Sequence, residues 1–255
     1  MPLTVEELTT FASRGMLIRR GLIAHKLAVR ARALAEDWYE HEMKLAELVA
    51  YTQRTFAPEH GGHPDLLALF YSSDVVDLVT SLVGEFQPIT AAQVQIRVPE
   101  RDLTDAQPEK AMHVDGVACP HLDSSELRTF SLLVGVVLSD VTSPQGGALR
   151  YVPGGHLRMA EWFRSEWSLG LTDQVPPQLD AEQGIPFLGH TGDVLMMHHL
   201  VPHSVGRNHT ERPRLMAYFR VSHVNHPSHR LEALKDPWLD YPTIARLQRE
   251  SRAAP

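Results

Sequence analysis

The sequence predicts a mainly β protein with flanking helices. In the N-terminal third of the chain, apolar residues recur at helical spacing, whereas from Ala91 onward they alternate at the spacing of strands. The chain has 255 residues, of which 43% are hydrophobic, and this is enough to bury a large core. We expect a single domain over residues 1–255. Its predicted parts are helical support over 1–85, a barrel over 86–225 and a C-terminal tail over 226–255.

The first elements have recognisable boundary residues. Thr4 is a candidate N-cap with Glu7 three residues later, and this capping box opens a helix that Gly15 ends. A short strand is expected from Met16 to Ile23. Further helical spacing extends over 25–55 and 66–83, separated by a loop over 56–65. The core-facing stripe of the first of these two segments is Leu27, Val29, Leu34, Ala35 and Trp38.

Two later segments are predicted to be strands of different kinds. In the stretch 93–97, Gln93, Gln95 and Arg97 share one face, and this row either faces a ligand or is only a solvated face. The stretch 130–138 is nearly continuous apolar sequence, which is typical of a strand buried on both sides. Thr129 and Ser131 at its start are small polar groups that we expect to face the site.

Composition narrows the classes of partner. The net charge of −7 is spread along the chain, which argues against nucleic acid or an anionic membrane as the main partner. No apolar run approaches the length needed to cross a bilayer. Cys119 is the only cysteine, so an intramolecular disulfide is excluded, and we expect a buried, inert thiol. We therefore expect a cytoplasmic protein that acts on a small molecule.

One His-X-Asp triplet is a candidate metal motif. Three such triplets occur among 15 histidines. The first, 63–65, has a central proline and fits a helix start, whereas the second, 121–123, lies in a polar stretch typical of a loop. Only His113-Val114-Asp115 has a β-branched centre and a glycine directly after it. In a strand, His113 and Asp115 would share a face about 7 Å apart.

A third ligand is needed for a metal site. If His203, 90 positions after His113, comes from a later strand of the same barrel, it completes the two-histidine, one-carboxylate set that suits Fe(II). Three metal positions then stay open for other ligands. A zinc site built on His198, His199 and His203 is the alternative, but the four-residue spacing needs a helix, which Pro202 disfavours.

Several motifs occur in a fixed order along the chain. They are the opening stretch Thr4 to Ile23, His113-Val114-Asp115-Gly116, Val137-Leu138-Ser139-Asp140-Val141, Gly146 to His156, Gly192-Asp193-Val194-Leu195, His203 and Arg214. This ordered set, which covers most of the chain, resembles the phytanoyl-CoA dioxygenase-like (PhyH) family of Fe(II)/2-oxoglutarate-dependent oxygenases. The resemblance implies a double-stranded β-helix, the cupin-like jelly-roll barrel.

The resemblance also implies roles for particular residues. His113, Asp115 and His203 are expected to hold Fe(II), and Arg214, 11 residues after His203, to hold the distal carboxylate of 2-oxoglutarate, with dioxygen as the second cosubstrate. The family serine two residues after the distal histidine is Val205 here, so we expect Ser204 to supply a displaced hydroxyl. The family asparagine before the Gly-X-Leu stretch is replaced by Gly146.

Other predicted roles are less specific. Gln93 and Thr129 are the remaining candidates for cosubstrate binding. Arg212 is the alternative cation, but it precedes Pro213 and is expected in a turn. The segment 157–189 is a candidate lid, and its aromatic residues are expected either in the core or against substrate. We expect the tail to pack on the barrel and to fray from Arg249.

The expected reaction is hydroxylation of an unactivated C–H bond in a small-molecule metabolite or natural-product intermediate, with succinate and CO2 as coproducts. Desaturation, cyclisation or epimerisation by the same kind of oxygenase stays open. A halogenase needs a small residue in place of the carboxylate, and Asp115 argues against it. A non-catalytic cupin-like binding module is the alternative from another class, although it has no need of both the iron ligands and Arg214.

Overall fold

The computed structural model describes residues 3–51, 54–71, 74–103, 110–116, 128–168, 174, 176–177 and 184–253. Within these ranges, the strands are β1 Met16–Arg19, β2 Gln93–Arg97, β3 Lys110–His113, β4 Leu132–Val137, β5 Leu149–Tyr151, β6 Ile185–Pro186, β7 Val194–His198, β8 His203–Val205 and β9 Arg214–Val221. The α-helices are α1 Val5–Arg14, α2 His25–His41, α3 Leu48–Tyr51, α4 Pro64–Tyr71, α5 Val75–Val83, α6 Gly155–Ser165, α7 His226–Lys235 and α8 Pro242–Ala253. Short 3-10 turns lie at Leu45–Glu47, Pro58–His60 and Glu100–Asp102.

The strands form two antiparallel sheets. The larger sheet has the order β1-β7-β4-β9-β2, and the smaller has the order β3-β8-β5-β6. Side chains of both sheets, including Leu133, Met197 and Tyr218 from the larger and Leu149 and Tyr151 from the smaller, share one buried cluster, which we call the inner cluster. The two sheets therefore pack face to face, and within the described ranges they do not close into a continuous barrel.

Helices cover the other face of the larger sheet. Leu132, Val134 and Val136 of β4 pack there in a second cluster with residues of the helices α1, α2, α4 and α5. Every residue of β4 is buried, which confirms the prediction of a strand buried on both sides. Side chains alternate along β4: the even positions face the helices, and Leu133 and Val137 face the inner cluster. Because both faces are covered, the sequence of the strand is continuously apolar.

The predicted start of the chain is confirmed. Thr4 Oγ1 accepts a hydrogen bond from the Glu7 backbone N–H, the Glu7 carboxylate accepts from the Thr4 N–H, and Gly15 ends α1 with φ 73°. The strand that follows ends at Arg19 rather than Ile23. In α2 the predicted stripe is wrong at Val29, which is 41% exposed. Ala28 and Ala31, one turn apart, pack in the core instead.

The candidate lid and the C-terminal tail both contribute buried aromatic residues to the fold. In the candidate lid, α6 is a helix whose Trp162 and Phe163 pack with Val114, Leu200 and Leu234, so these aromatics belong to a core. The stretches 169–173, 175 and 178–183 lie outside the described residues, as do the triplet 121–123 and Cys119. The tail packs on the sheets through buried Trp238 and Tyr241, as predicted. The structure continues α8 to Ala253, and fraying from Arg249 stays a prediction.

The helices were also compared with the length and composition of a membrane span. Within the described part of the chain, no single helix is long and apolar enough to cross a bilayer. The helices α4 and α5 meet these criteria only as a pair, bent by 58°.

Candidate active site

The candidate metal ligands meet where β3 and β8 pair. His113 is the last residue of β3, and His203, the first of β8, lies directly opposite it in the antiparallel register. Asp115 follows in the turn after β3, where Gly116 has φ 80°, so it does not share a strand face with His113 as the sequence suggested. The turn nevertheless brings the carboxylate back to the two rings.

The three side chains enclose a space between their ligand atoms. Asp115 Oδ1 is 3.5 Å from His113 Nε2 and 3.9 Å from His203 Nε2, and the ring centroids are 4.6 Å apart. One ligand atom from each residue lies within 4.8 Å of the other two. These separations are longer than a hydrogen bond and close to the edge of a metal coordination polyhedron, which is about 3 Å for ligands about 2.1 Å from the ion.

The protonation of the two rings also fits a metal. His113 Nδ1 is 2.8 Å from the Ala111 carbonyl, and His203 Nδ1 is 3.0 Å from the Val201 carbonyl. A carbonyl can only accept, so each Nδ1 carries a proton, and each Nε2 is the atom that faces the shared space and binds a metal once it gives up any proton of its own. Burial acts to raise the pKa of Asp115, but His113, His203 and Arg220 outweigh it and hold the pKa well below its usual range. The carboxylate is therefore charged.

Arg214 is buried at the start of β9. It is 4% exposed, and its Nε donates to the Gly147 carbonyl at 2.9 Å. Gly147 has φ 70°, and a Cβ there would lie 2.7 Å from Arg97 Cγ, so the close approach needs glycine. Arg214 Nη1 is buried with no hydrogen-bond partner within the described ranges. Burial lowers the pKa of Arg214, with the nearby Tyr218 acting against that shift. A buried guanidinium with a spare donor suits a carboxylate.

The polar row of β2 faces inward, which decides the alternative left open by the sequence. Gln93, Gln95 and Arg97 lie opposite Tyr218, Met216 and Arg214 in the β2–β9 register. Met216 and Tyr218 belong to the inner cluster, and residues directly opposite in a sheet share a face. Gln93 therefore lies on the same side as Arg214.

Three other predicted residues, Ser204, Thr129 and Ser131, are not brought to the cluster, and Ser131 Oγ donates to Asp240 at 2.6 Å instead. Ser204 follows His203 in β8 and, because successive residues alternate, lies on the opposite face. Val205 shares the face of His203 and packs against the inner cluster. The hydroxyl of Thr129 lies 2.9 Å from His226 Nε2, directed to α7.

His198 and His199 are not part of the cluster with His203. His198 Nε2 contacts the Pro237 carbonyl at 2.7 Å, and His199 Nδ1 contacts the Ser131 carbonyl at 3.2 Å. Both rings are buried and stack at 4.5 Å, and His156 lies 5.1 Å from His198. Burial lowers the pKa of His156 to about 4 and that of His199 to about 3. The two rings contact backbone carbonyls, and within the described ranges His203 converges with His113 and Asp115 rather than with His198 and His199, which removes the zinc alternative.

Sequence reasoning missed two features. Arg220 Nη2 lies 3.3 Å from Asp115 Oδ2. Arg220 lies at even spacing from Arg214 along β9, so both side chains leave the same face of the strand, but no sequence pattern indicates the carboxylate that Arg220 meets. The second feature is a cluster around buried Asp240, which accepts from His226 Nδ1 and His229 Nε2 at 2.6 Å each. The spacing His-X2-His-X2-His at 223–229 was its available signal.

Solved structures of related shape include several oxygenases. The non-heme alpha ketoglutarate dependent carbocyclase SnoK from nogalamycin biosynthesis matches with a TM-score of 0.57 and 17% identity, covering 89% of this chain and 90% of that one. The epimerase SnoN from the same biosynthesis matches with a TM-score of 0.61 and 19% identity, covering 85% of this chain and 82% of that one. EctD from S. alaskensis, with 2-oxoglutarate and 5-hydroxyectoine, matches with a TM-score of 0.61 and 17% identity, covering 88% of this chain and 77% of that one. No curated protein matches significantly.

The fold is thus the predicted double-stranded β-helix of non-haem iron oxygenases, and that prediction is confirmed. The sequence family described as phytanoyl-CoA dioxygenase (PhyH) matches residues 11–216. The chain belongs to this family, as the ordered motifs had indicated. It is a 2-oxoglutarate-dependent non-haem iron dioxygenase that uses Fe(II), 2-oxoglutarate and dioxygen.

Proposed function

We propose that this dioxygenase hydroxylates an unactivated C–H bond of a small-molecule metabolite or natural-product intermediate and converts 2-oxoglutarate to succinate and CO2. The observation that carries the proposal is the pairing of two preformed groups. One is the set of three ligand atoms around a shared space, and the other is the spare buried donor of Arg214. A metal-binding module without catalysis has no use for the second group.

His113, Asp115 and His203 would hold the iron through Nε2, Oδ1 and Nε2. When bound, the iron supplies the oxidation chemistry that no side chain can perform. Arg214 would orient 2-oxoglutarate by a charge-assisted pair with its distal carboxylate. Gln93, which lies on the same side of the sheet opposite Tyr218, is kept as a second residue for this binding. The apolar side chains of the inner cluster exclude water from this end of the site.

Ser204 and Thr129 have weaker support as cosubstrate contacts. Ser204 lies on the face of β8 away from His203, and the Thr129 hydroxyl already has a partner in His226. We therefore assign the binding of 2-oxoglutarate first to Arg214. Neither residue is needed for the proposed reaction.

The proposal is tested by measuring succinate from 2-oxoglutarate with Fe(II) and dioxygen, with and without candidate substrates. Substrate-stimulated succinate formation that is lost in His113→Ala, and kept in a variant of an exposed histidine such as His41→Ala, supports an oxygenase at this cluster. Binding of 2-oxoglutarate without any turnover, across a broad metabolite library, would instead favour a binding module.

The outcome of the reaction is read by mass spectrometry of the substrate. A gain of one oxygen atom supports hydroxylation. Loss of hydrogens would indicate desaturation or cyclisation, and unchanged mass with a new retention time would indicate epimerisation. These alternatives are kept because related folds include a carbocyclase and an epimerase.

A further inference from the structure

The two oxygens of the Asp115 carboxylate have different neighbours. Oδ1 faces the imidazoles, at 3.5 Å from His113 Nε2 and 3.9 Å from His203 Nε2. Oδ2 faces the guanidinium of Arg220, with 3.3 Å to Nη2. The carboxylate is thus held between two histidines on one side and a cation on the other.

Arg220 is fixed in this place by the sheet. It lies on β9 at even spacing from Arg214, Met216 and Tyr218, so its side chain leaves the same face of the strand. Its Cζ lies 5.2 Å from the centre of the Phe130 ring, a cation–π contact that restrains the guanidinium. The Arg220 side chain is 41% exposed, whereas the Asp115 side chain is 12% exposed, so Arg220 caps the carboxylate from the solvent side.

A carboxylate can bind a metal through one oxygen or through both. When Oδ2 accepts a hydrogen bond from the guanidinium of Arg220, one of its two lone pairs is engaged, and the carboxylate is held with Oδ1 toward the histidine rings. We propose that Arg220 is a positioning residue that keeps Asp115 a one-oxygen ligand, an inference that rests on the function proposed above. Two-oxygen binding by Asp115 would fill a coordination position that 2-oxoglutarate or dioxygen needs. Arg220 thereby protects the open side of the site.

The inference differs from a merely structural role for Arg220. If Arg220 only offset the charge of a buried carboxylate, its loss would lower the stability of the metal-free protein and leave the loaded site unchanged. If it sets the binding mode of Asp115, its loss changes the coordination of the metal in a correctly folded protein. Spectra of the loaded protein therefore separate the two roles.

The experiment uses Co(II) as a spectroscopic probe, because visible absorption reports coordination number and geometry. Arg220→Leu is expected to bind Co(II) with an altered visible spectrum in the absence of 2-oxoglutarate. In the anaerobic Fe(II) protein, the affinity for 2-oxoglutarate, followed by its charge-transfer absorption, is expected to fall about tenfold, which corresponds to about 1.4 kcal/mol. Arg220→Lys, which keeps one donor, is expected to recover part of both signals, and it replaces Arg220→Leu if the latter does not fold.

Arg249→Leu, a change at an exposed arginine of α8, is the matched control and is expected to behave as the unmodified protein. Unchanged Co(II) spectra and unchanged 2-oxoglutarate affinity in Arg220→Leu would overturn the inference. Absence of both signals in the unmodified protein would overturn the proposed function itself, so the two failures are distinguishable.

Discussion

Two clusters of histidine and aspartate in this molecule have similar composition and different geometry. In the first, Asp115 Oδ1 stands 3.5 and 3.9 Å from the Nε2 atoms of His113 and His203. In the second, which comprises His223, His226, His229 and Asp240, the buried Asp240 carboxylate is 2.6 Å from a nitrogen of His226 and 2.6 Å from a nitrogen of His229.

These distances separate a metal site from a hydrogen-bond network. Separations of 2.6 Å are direct hydrogen bonds, so a proton already lies between each histidine and Asp240. Ser131 Oγ donates to the same carboxylate at 2.6 Å, and these contacts join the C-terminal tail to the start of β4. In the first cluster, the wider separations and the outward Nδ1 protons leave space for an ion. Three ligand atoms lie within 4.8 Å of one another in both clusters, so residue type and convergence alone do not distinguish them. The two 2.6 Å contacts of Asp240 and the histidine tautomers do.

The largest expected effect is that of Asp115→Ala. The change removes one of three ligands and its charge, so we expect Fe(II) affinity and turnover to fall by more than about a hundredfold, beyond the usual cost of losing a mere supporting contact. Thermal unfolding should be little changed. Calorimetric metal titration and succinate assays measure both quantities. Full Fe(II) binding by Asp115→Ala would show that the metal ligands lie elsewhere, for example in the undescribed stretch 121–123.

The next effect is that of Arg214→Leu, which tests whether Arg214 binds the distal carboxylate of 2-oxoglutarate. Loss of a charge-assisted pair should cost about 2–5 kcal/mol of 2-oxoglutarate binding, or roughly 30-fold to several-thousand-fold in affinity. Iron binding should be nearly unchanged, and Arg214→Lys should recover only part because an ammonium lacks the planar fork. Calorimetric titration of 2-oxoglutarate measures this. An equal loss in Arg212→Leu, at the exposed neighbour, would mean that the anchor is misplaced.

The second cluster gives a contrasting prediction. Asp240→Ala removes a charged acceptor from His226, His229 and Ser131, so we expect a loss of about 3 kcal/mol in the free energy of unfolding. Fe(II) affinity should stay the same. Urea unfolding of the protein and of the exposed control Asp37→Ala measures the difference. Loss of metal binding with unchanged stability would reverse the roles assigned to the two clusters.

The smallest effect concerns acid stability, through the buried rings of His156 and His199. Burial lowers the pKa of His156 to about 4 and that of His199 to about 3, from an ordinary value of 6.5. The unfolded chain therefore takes up protons before the folded protein does, and the free energy of unfolding falls as pH drops from about 6.5, to about 4 for His156 and to about 3 for His199. His156 contributes at most about 3 kcal/mol of this loss. Urea midpoints of the metal-free protein should show it, and an unchanged pH slope in His156→Gln would refute this assignment.

Much of the scaffold followed from local sequence. The capping box at Thr4, the continuous apolar run of β4 and the proline-started helix α4 each have a local cause. The stripe of α2 failed at Val29 because residues two apart in a helix lie about 200° from each other, so Val29 cannot share the face of Leu27, whereas Ala28 and Ala31 lie on the packed side. The start of α8 is held by buried Tyr241 and Ile244, and the helix extends to Ala253, past the residue where fraying was predicted to begin.

The site was predictable in its chemistry and less so in its arrangement. The triplet at 113–115, His203 and Arg214 came from motifs, but Asp115 reaches the rings through a turn rather than a strand face. Arg220 meets Asp115 across 105 positions of sequence, a pairing that no local pattern encodes. The Asp240 network likewise joins three separated segments of the chain.

The most direct test of the account compares the two clusters in one titration. Anaerobic Fe(II) protein is titrated with 2-oxoglutarate, and the metal-to-ligand charge-transfer absorption is recorded for the unmodified protein, Asp115→Ala and Asp240→Ala. The account predicts saturating absorption in the unmodified protein and in Asp240→Ala, and none in Asp115→Ala. Absorption kept in Asp115→Ala and lost in a folded Asp240→Ala would contradict it.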